Sequence, residues 1–145
     1  MYTKTPVNIF GHTLVETGRQ IKMFNLRLFA QKGLEITPEQ FLILSILDDD
    51  SNLHQMQLCE LLFKDRSNMA RLIGILEKKG LIVKTPSVDK RLVNKIQITD
   101  KGKELKNLVF PLIKNSRKKI LNGISDEELK YCINIFHKIQ KNLNN

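Results

Sequence analysis

The sequence predicts a mainly α fold carrying one small β-hairpin, and three observations point there. Apolar residues recur at helical spacing through most of the chain. Capping residues and glycines punctuate that pattern at short intervals. After residue 80 two short stretches change to a two-residue alternation.

The first helix is expected over residues 7–31, where Phe10, Leu14, Ile21, Phe24, Leu28 and Phe29 form an apolar stripe that stops near Gly33. Thr37-Pro38-Glu39-Gln40 then supplies an N-cap Thr, a Pro at the first helical position and a Gln at the third, a capping box with a pre-organised entry. The helix it opens carries Phe41, Leu42, Leu44 and Leu47 and runs into Asp48-Asp49-Asp50-Ser51-Asn52. Three acids at a helix carboxyl end oppose the dipole, so this cluster is read as a loop. A short, weakly capped helix follows over residues 54–62, with Leu58, Leu61 and Leu62 on its apolar side.

After a turn at Phe63 and Lys64, the Asp65 carboxylate offers an N-cap to a helix expected over residues 65–79. Met69, Leu72, Ile73 and Leu76 give that helix its inward stripe, and Gly80 ends it behind the cationic Lys78 and Lys79. Leu81-Ile82-Val83 reads as a strand, residues 85–94 as a polar loop, and Ile96 and Ile98, alternating with Lys95 and Gln97, as the returning strand. Three helices, the last two joined by a tight turn, followed by a protruding hairpin make residues 37–99 a winged helix-turn-helix lobe. Thr99 caps another long helix through Leu105, Leu108, Leu112 and Ile113, which Pro111 is expected to kink rather than end. Asn122-Gly123 stops it, and Ser125-Asp126-Glu127-Glu128 is a further capping box for a last helix with Leu129, Ile133, Phe136 and Ile139 on one face. No linker interrupts the series, so residues 1–145 are expected to form a single domain.

Composition excludes several function classes. A hydrophobic fraction of 41% with 27% charged residues suits a globular chain and not a disordered one. Apolar runs such as residues 41–47 fall well short of the ~18 residues a bilayer span needs, so no membrane partner is expected. The amino terminus lacks a basic segment followed by a long apolar core, so the expected compartment is the cytoplasm. Cys59 and Cys132, each in an apolar helical stretch, are read as two small buried thiols. His12, His54 and His137 are scattered, so no metal or other cofactor is expected. There is no Gly-rich phosphate loop, nucleophile motif or zinc-protease spacing, and the chain is not read as an enzyme.

The formal charge of +9 is unevenly placed. Residues 37–63 hold no Lys or Arg, whereas residues 64–119 hold sixteen against five acids, a local surplus of 16 − 5 = +11. That surplus starts where the 65–79 helix starts, and it favours a polyanionic partner. With its apolar stripe turned inward, the helix presents Arg66, Ser67, Asn68 and Arg71 outward in its first two turns. All four can hydrogen-bond to bases or phosphates in a major groove of double-stranded DNA, with Arg71 suited to guanine and Asn68 to adenine. The alternative from the residues alone is a winged-helix module that binds protein or RNA, for which an apolar outward face would be the sign.

Three further segments carry a resemblance. Leu76-Glu77-Lys78-Lys79-Gly80-Leu81-Ile82, the wing signature Asp89-Lys90-Arg91, and Ile98-Thr99-Asp100-Lys101-Gly102-Lys103-Glu104-Leu105 stand in an order and spacing that resembles the MarR family of winged-helix regulators, over nearly the whole chain. The resemblance implies a transcriptional regulator, most simply a repressor, that binds a pseudopalindromic operator as a homodimer. Residues 7–33 and 100–145 would supply the dimerisation helices. It places Arg91 in the minor groove, with Asp89 and Lys90 beside it at the wing tip. It also implies a small aromatic or phenolic effector in a cleft between the dimer helices and the DNA-binding lobe. Departures from the pattern are His54 in place of a Ser or Thr cap, Cys59 in place of a small Ala, and no cysteine in the first helix of the kind that peroxide-sensing relatives use.

Overall fold

Helix entries set most of the architecture. The computed structural model describes residues 5–50, 52–86 and 94–144. Its elements run α1 (Pro6–Gln31), α2 (Pro38–Asp49), α3 (Gln55–Leu62), α4 (Arg66–Lys78), β1 (Ile82–Thr85), β2 (Lys95–Ile98), α5 (Asp100–Ile120) and α6 (Asp126–Leu143). The chain divides into two compact units, Met1–Leu112 and Ile113–Asn145.

In the first unit α1 starts one residue earlier than expected, because Thr5-Pro6 repeats the Thr-Pro entry of α2, with the Thr5 hydroxyl accepting the Asn8 N–H. At α2 the capping box is complete. The Thr37 Oγ1 accepts the Gln40 N–H at 3.2 Å, and the Gln40 Oε1 accepts the Thr37 N–H at 3.1 Å. This leaves Gln40 satisfied although it is only 5% exposed. The expectation of a loop beginning at Asp48 is corrected: α2 continues through Asp48 and Asp49, and Asp50 is its C-cap. The reason is electrostatic, since the half-buried Asp48 carboxylate pairs with Lys106 of α5 and so offsets its unfavourable place at the negative end of the helix dipole.

The inward stripes meet in one core. Ile43, Leu44 and Leu47 from α2, Leu58 from α3, and Met69, Leu72, Ile73 and Leu76 from α4 are all buried, joined by Leu81, Ile82 and Ile96 of the hairpin region. Each such side chain contributes roughly 1.5–3 kcal/mol by leaving water. Phe29 reaches this core from α1 and meets Phe41 edge to face, ring centroids 6.4 Å apart. Strands β1 and β2 pair antiparallel, Ile82 opposite Ile98 and Thr85 opposite Lys95. The first strand therefore runs two residues beyond Val83, the β-branched Thr85 joining the ladder where a loop was expected. A hydrogen bond from the Ile96 N–H to the Leu53 carbonyl, 2.9 Å, ties the returning strand to the segment before α3.

One glycine is required where the hairpin meets α5. A Cβ on Gly102 would lie 2.2 Å from the Leu81 carbonyl oxygen and 2.7 Å from Ile98 Cγ1. Thr99 fixes this approach, its Oγ1 accepting the Gly102 N–H at 3.0 Å and donating to the Gly80 carbonyl at 2.7 Å. Helix α5 runs on through Pro111 without ending.

In the second unit α5 ends at Ile120 and the chain turns at Gly123, whose φ of 79° is the left-handed region that glycine accepts freely. Ser125 and Glu128 form the expected capping box of α6, with bonds of 3.2 and 2.8 Å. No residue of α6 is buried, although Leu129, Phe136 and Ile139 are half-buried. For the same reason the reading of both thiols as buried is corrected: Cys59 is buried but Cys132 is exposed. An apolar helical pattern guarantees burial only where the helix meets another surface of the same chain. Among the described residues, no helix is long and apolar enough to cross a membrane.

Candidate nucleic-acid interface

The candidate interface is the outward side of α4, and its geometry starts at Asp65. This residue is the N-cap, with extended backbone, and its Oδ1 accepts the Asn68 N–H at 2.9 Å. Its second oxygen, Oδ2, accepts from the Asn68 side-chain Nδ2 at 2.6 Å. These two bonds, the backbone one first, hold the Asp65 carboxyl below the ordinary aspartate value.

From this cap the helix separates its faces cleanly. Met69, Leu72, Ile73 and Leu76 are each no more than 2% exposed, while Arg66, Ser67, Asn68 and Arg71 are all exposed. The four outward residues are thus all exposed on the first two turns, Ser67 and Arg71 sharing one side of the helix with Arg66 and Asn68 on its two flanks. Ala70 and Gly74 continue that side as small exposed residues, so no bulky apolar group interrupts it. A face of guanidinium, hydroxyl and amide groups can pair with base edges and phosphates. Asp89, Lys90 and Arg91, expected at the wing tip, lie outside the described residues.

The turn that places α4 holds features that the sequence does not advertise. Among the described residues, Phe63 alone combines a non-glycine side chain with a positive φ, 49°, and the residue is 90% exposed. Next to it, Lys64 donates to the Glu39 Oε1 at 2.9 Å, and Lys22 of α1 lies 3.8 Å from the same oxygen. The Lys64 hydrogen bond, with the charges of Lys64, Lys22 and Arg71 adding to it against partial burial, lowers the Glu39 carboxyl from its ordinary value. One acid at the start of α2 therefore ties α1 to the turn ahead of α4. The 25-residue separation of Glu39 and Lys64 hides the pair from any local pattern. At α3, too, the structure adds a bond, for the Gln57 side chain accepts the His54 N–H at 2.8 Å and supports a start that looked weakly capped.

A concavity in the first unit, about 660 Å³, is lined by residues 33–36, Lys79, Leu81, Lys101, Glu104, Leu105 and Leu108. Lys79 donates to the Glu35 carbonyl, and Lys101 donates to the Lys79 carbonyl at 2.9 Å. Each ammonium has three donors and keeps capacity for a further acceptor.

Comparison with known proteins agrees with this geometry. The family model described as the MarR family matches residues 34–91, a span that takes in α2, α3, α4 and β1. An HTH-type transcriptional regulator of Bacillus subtilis, YybA, is 31% identical over 116 residues, covering 77% of this chain and 75% of that protein. Among solved structures, a MarR/EmrR family transcriptional regulator from Acinetobacter sp. ADP1 superposes with a TM-score of 0.85 at 16% identity, covering 97% of this chain and 98% of that one. A cysteine-to-serine mutant of MarR from E. coli, complexed with operator DNA, superposes with a TM-score of 0.79 at 17% identity, covering 89% and 91%. At these identities the structural likenesses speak for the fold; the family model supplies the family, and the Bacillus relative extends the likeness to a transcriptional regulator over 77% of the chain. The chain belongs to the MarR family of transcriptional regulators, which are not enzymes.

Proposed function

We propose that this protein is a sequence-specific repressor that binds a pseudopalindromic operator as a homodimer, reading the major groove with Arg66, Ser67, Asn68 and Arg71 and the minor groove with the wing residues Asp89, Lys90 and Arg91. The observation that carries the reading is the face of α4, on which four hydrogen-bonding side chains are exposed together at the amino-terminal end of the helix while its apolar stripe is buried. The +11 surplus over residues 64–119 supports a polyanionic partner. The half-exposed apolar side of α6, with Ile133 48% exposed, and the exposed Phe10 and Leu14 of α1 support a second copy as a further partner. Two reading helices related by two-fold symmetry would address half-sites about 10 base pairs apart.

Release by a small aromatic or phenolic acid is part of the proposal. The cavity beside Leu34, Leu81 and Leu105 offers an apolar lining for a ring, and Lys79 and Lys101 at its edge offer cations for a carboxylate or phenolate. A ligand that prefers one spacing of the reading heads lowers DNA affinity by its differential affinity for that state.

The test is a fluorescence-anisotropy titration of duplexes selected from a random library. Arg71→Ala should relax base preference and Arg91→Ala should weaken binding, each by roughly 1–3 kcal/mol. Addition of an aromatic acid to the complex should release the duplex in the same assay. Unchanged affinity and preference in both variants would remove these residues from the interface.

A further inference from the structure

Asp65 does more than an N-cap requires. A cap needs one oxygen, and Oδ1 fills that role on the Asn68 N–H at 2.9 Å. The other oxygen is spent on the side chain of the same residue, Oδ2 accepting from Asn68 Nδ2 at 2.6 Å. A carboxylate can only accept, so the amide must turn its NH₂ group towards Asp65, since the opposite flip would set two oxygens against each other. One N–H of the amide is then used. What remains is one N–H and the carbonyl oxygen.

We propose that Asp65 is a positioning residue that locks the Asn68 amide in the orientation that reads adenine. On the major-groove edge adenine offers one acceptor, N7, and one donor, the N6 amino group, whereas guanine offers two acceptors there. The donor and acceptor left on the locked amide match adenine, and the carboxylate prevents the rotation that would let the amide adapt to other bases. Fixing the rotamer before binding also removes an ordering cost at the moment of contact. Asp65 brings a negative charge close to a phosphate-binding face. A neutral Ser would cap the helix without that repulsion, so the second oxygen is what distinguishes Asp at this position.

This inference rests on the reading of α4 as the base-contacting helix, and one experiment separates the two. The unsubstituted chain, Asn68→Ala and Asp65→Ser each select duplexes from a randomised library, and the recovered pools are sequenced. Asn68→Ala is expected to flatten the preference at one base pair per half-site. Asp65→Ser is expected to flatten that same base pair, with adenine losing about fivefold or more over its competitors. The other positions should keep their preference, and affinity for unrelated DNA should equal or exceed that of the unsubstituted chain. A pool from the unsubstituted chain that never converges would overturn the reading of α4 and this inference with it. A converged motif in which Asp65→Ser keeps the Asn68-dependent preference, or in which Asn68→Ala relaxes no position, overturns the inference alone. So does a uniform loss at every position, the mark of a cap that only supports the helix. Should Asp65→Ser fail to fold, Asp65→Asn replaces it. That side chain also caps, but it has one acceptor oxygen where Asp has two, so the same loss is expected.

Discussion

Replacing Gly102 by Ala tests how the hairpin is joined to α5. The added Cβ would stand 2.2 Å from the Leu81 carbonyl oxygen and 3.2 Å from its carbon, so relief requires the backbone at Leu81 to move by roughly 1 Å to reach ordinary contact. That carbonyl accepts the Thr99 N–H at 3.0 Å, and the neighbouring Gly80 carbonyl accepts from the Thr99 hydroxyl, so the movement strains the cap of α5 as well. Overpacking of this kind costs about 1–3 kcal/mol, and a weakened hydrogen bond about 1 kcal/mol more. The gain in helix propensity from Gly to Ala offsets roughly 0.5–1 kcal/mol. A net loss of about 2 kcal/mol should lower the melting temperature by roughly 6 °C for a chain of this size. Circular dichroism at 222 nm on heating, with urea titration as a second measure, gives the value. Gly74→Ala is the control, because nothing lies within 4 Å of a Cβ there and the exposed helix should gain roughly 0.5–1 kcal/mol. A Gly102→Ala protein as stable as the unsubstituted chain would refute the account of the junction.

Two further substitutions address the turn before α4. Phe63→Gly should stabilise the protein by about 0.5–1 kcal/mol in the same denaturation assay, since the left-handed φ of 49° costs a Phe roughly 1–2 kcal/mol and the residue, 90% exposed, has little packing to lose. A loss of stability would mean that the ring holds a contact. Glu39→Gln should flatten the acid limb of stability. The folded carboxyl lies below its ordinary value near 4.5, so its contribution is fully present above that pH and is lost as pH falls through the lowered value. Melting temperatures from pH 7 to pH 3 that run parallel for the two proteins would show that the Lys64 pair does not contribute.

What the sequence makes legible follows the range of the interactions. The capping boxes at Thr37 and Ser125, the Asp65 cap and the glycine stops at Gly33, Gly80 and Gly123 are all local, and each structural boundary falls within three residues of its signal. The split of α4 into buried Met69, Leu72, Ile73 and Leu76 and exposed Arg66, Ser67, Asn68 and Arg71 follows from period alone. Partners distant in sequence are what the pattern hides. Asp48 looked like a helix breaker because Lys106, 58 residues away, was not in view. Cys132 looked buried because its helix is amphipathic, but burial depends on what that face meets. The Asp65 to Asn68 bond lies between these cases, for the i, i+3 spacing permits it and only the rotamer shows that both oxygens serve one residue.

Stability and the proposed recognition fall to different atoms on α4, and that separation is what makes the binding predictions informative. The core reaches from Phe29 to Val109 and takes from α4 only its inward stripe, so truncating Arg66 or Arg71 removes no buried contact. A loss of DNA affinity in those variants therefore reports on the interface and not on folding. Asp65 is the exception, since one oxygen holds the helix start and the other holds Asn68. Only a substitution that keeps the cap while removing the second acceptor can divide its two roles, and for that reason Ser, rather than Ala, is the substitution to make.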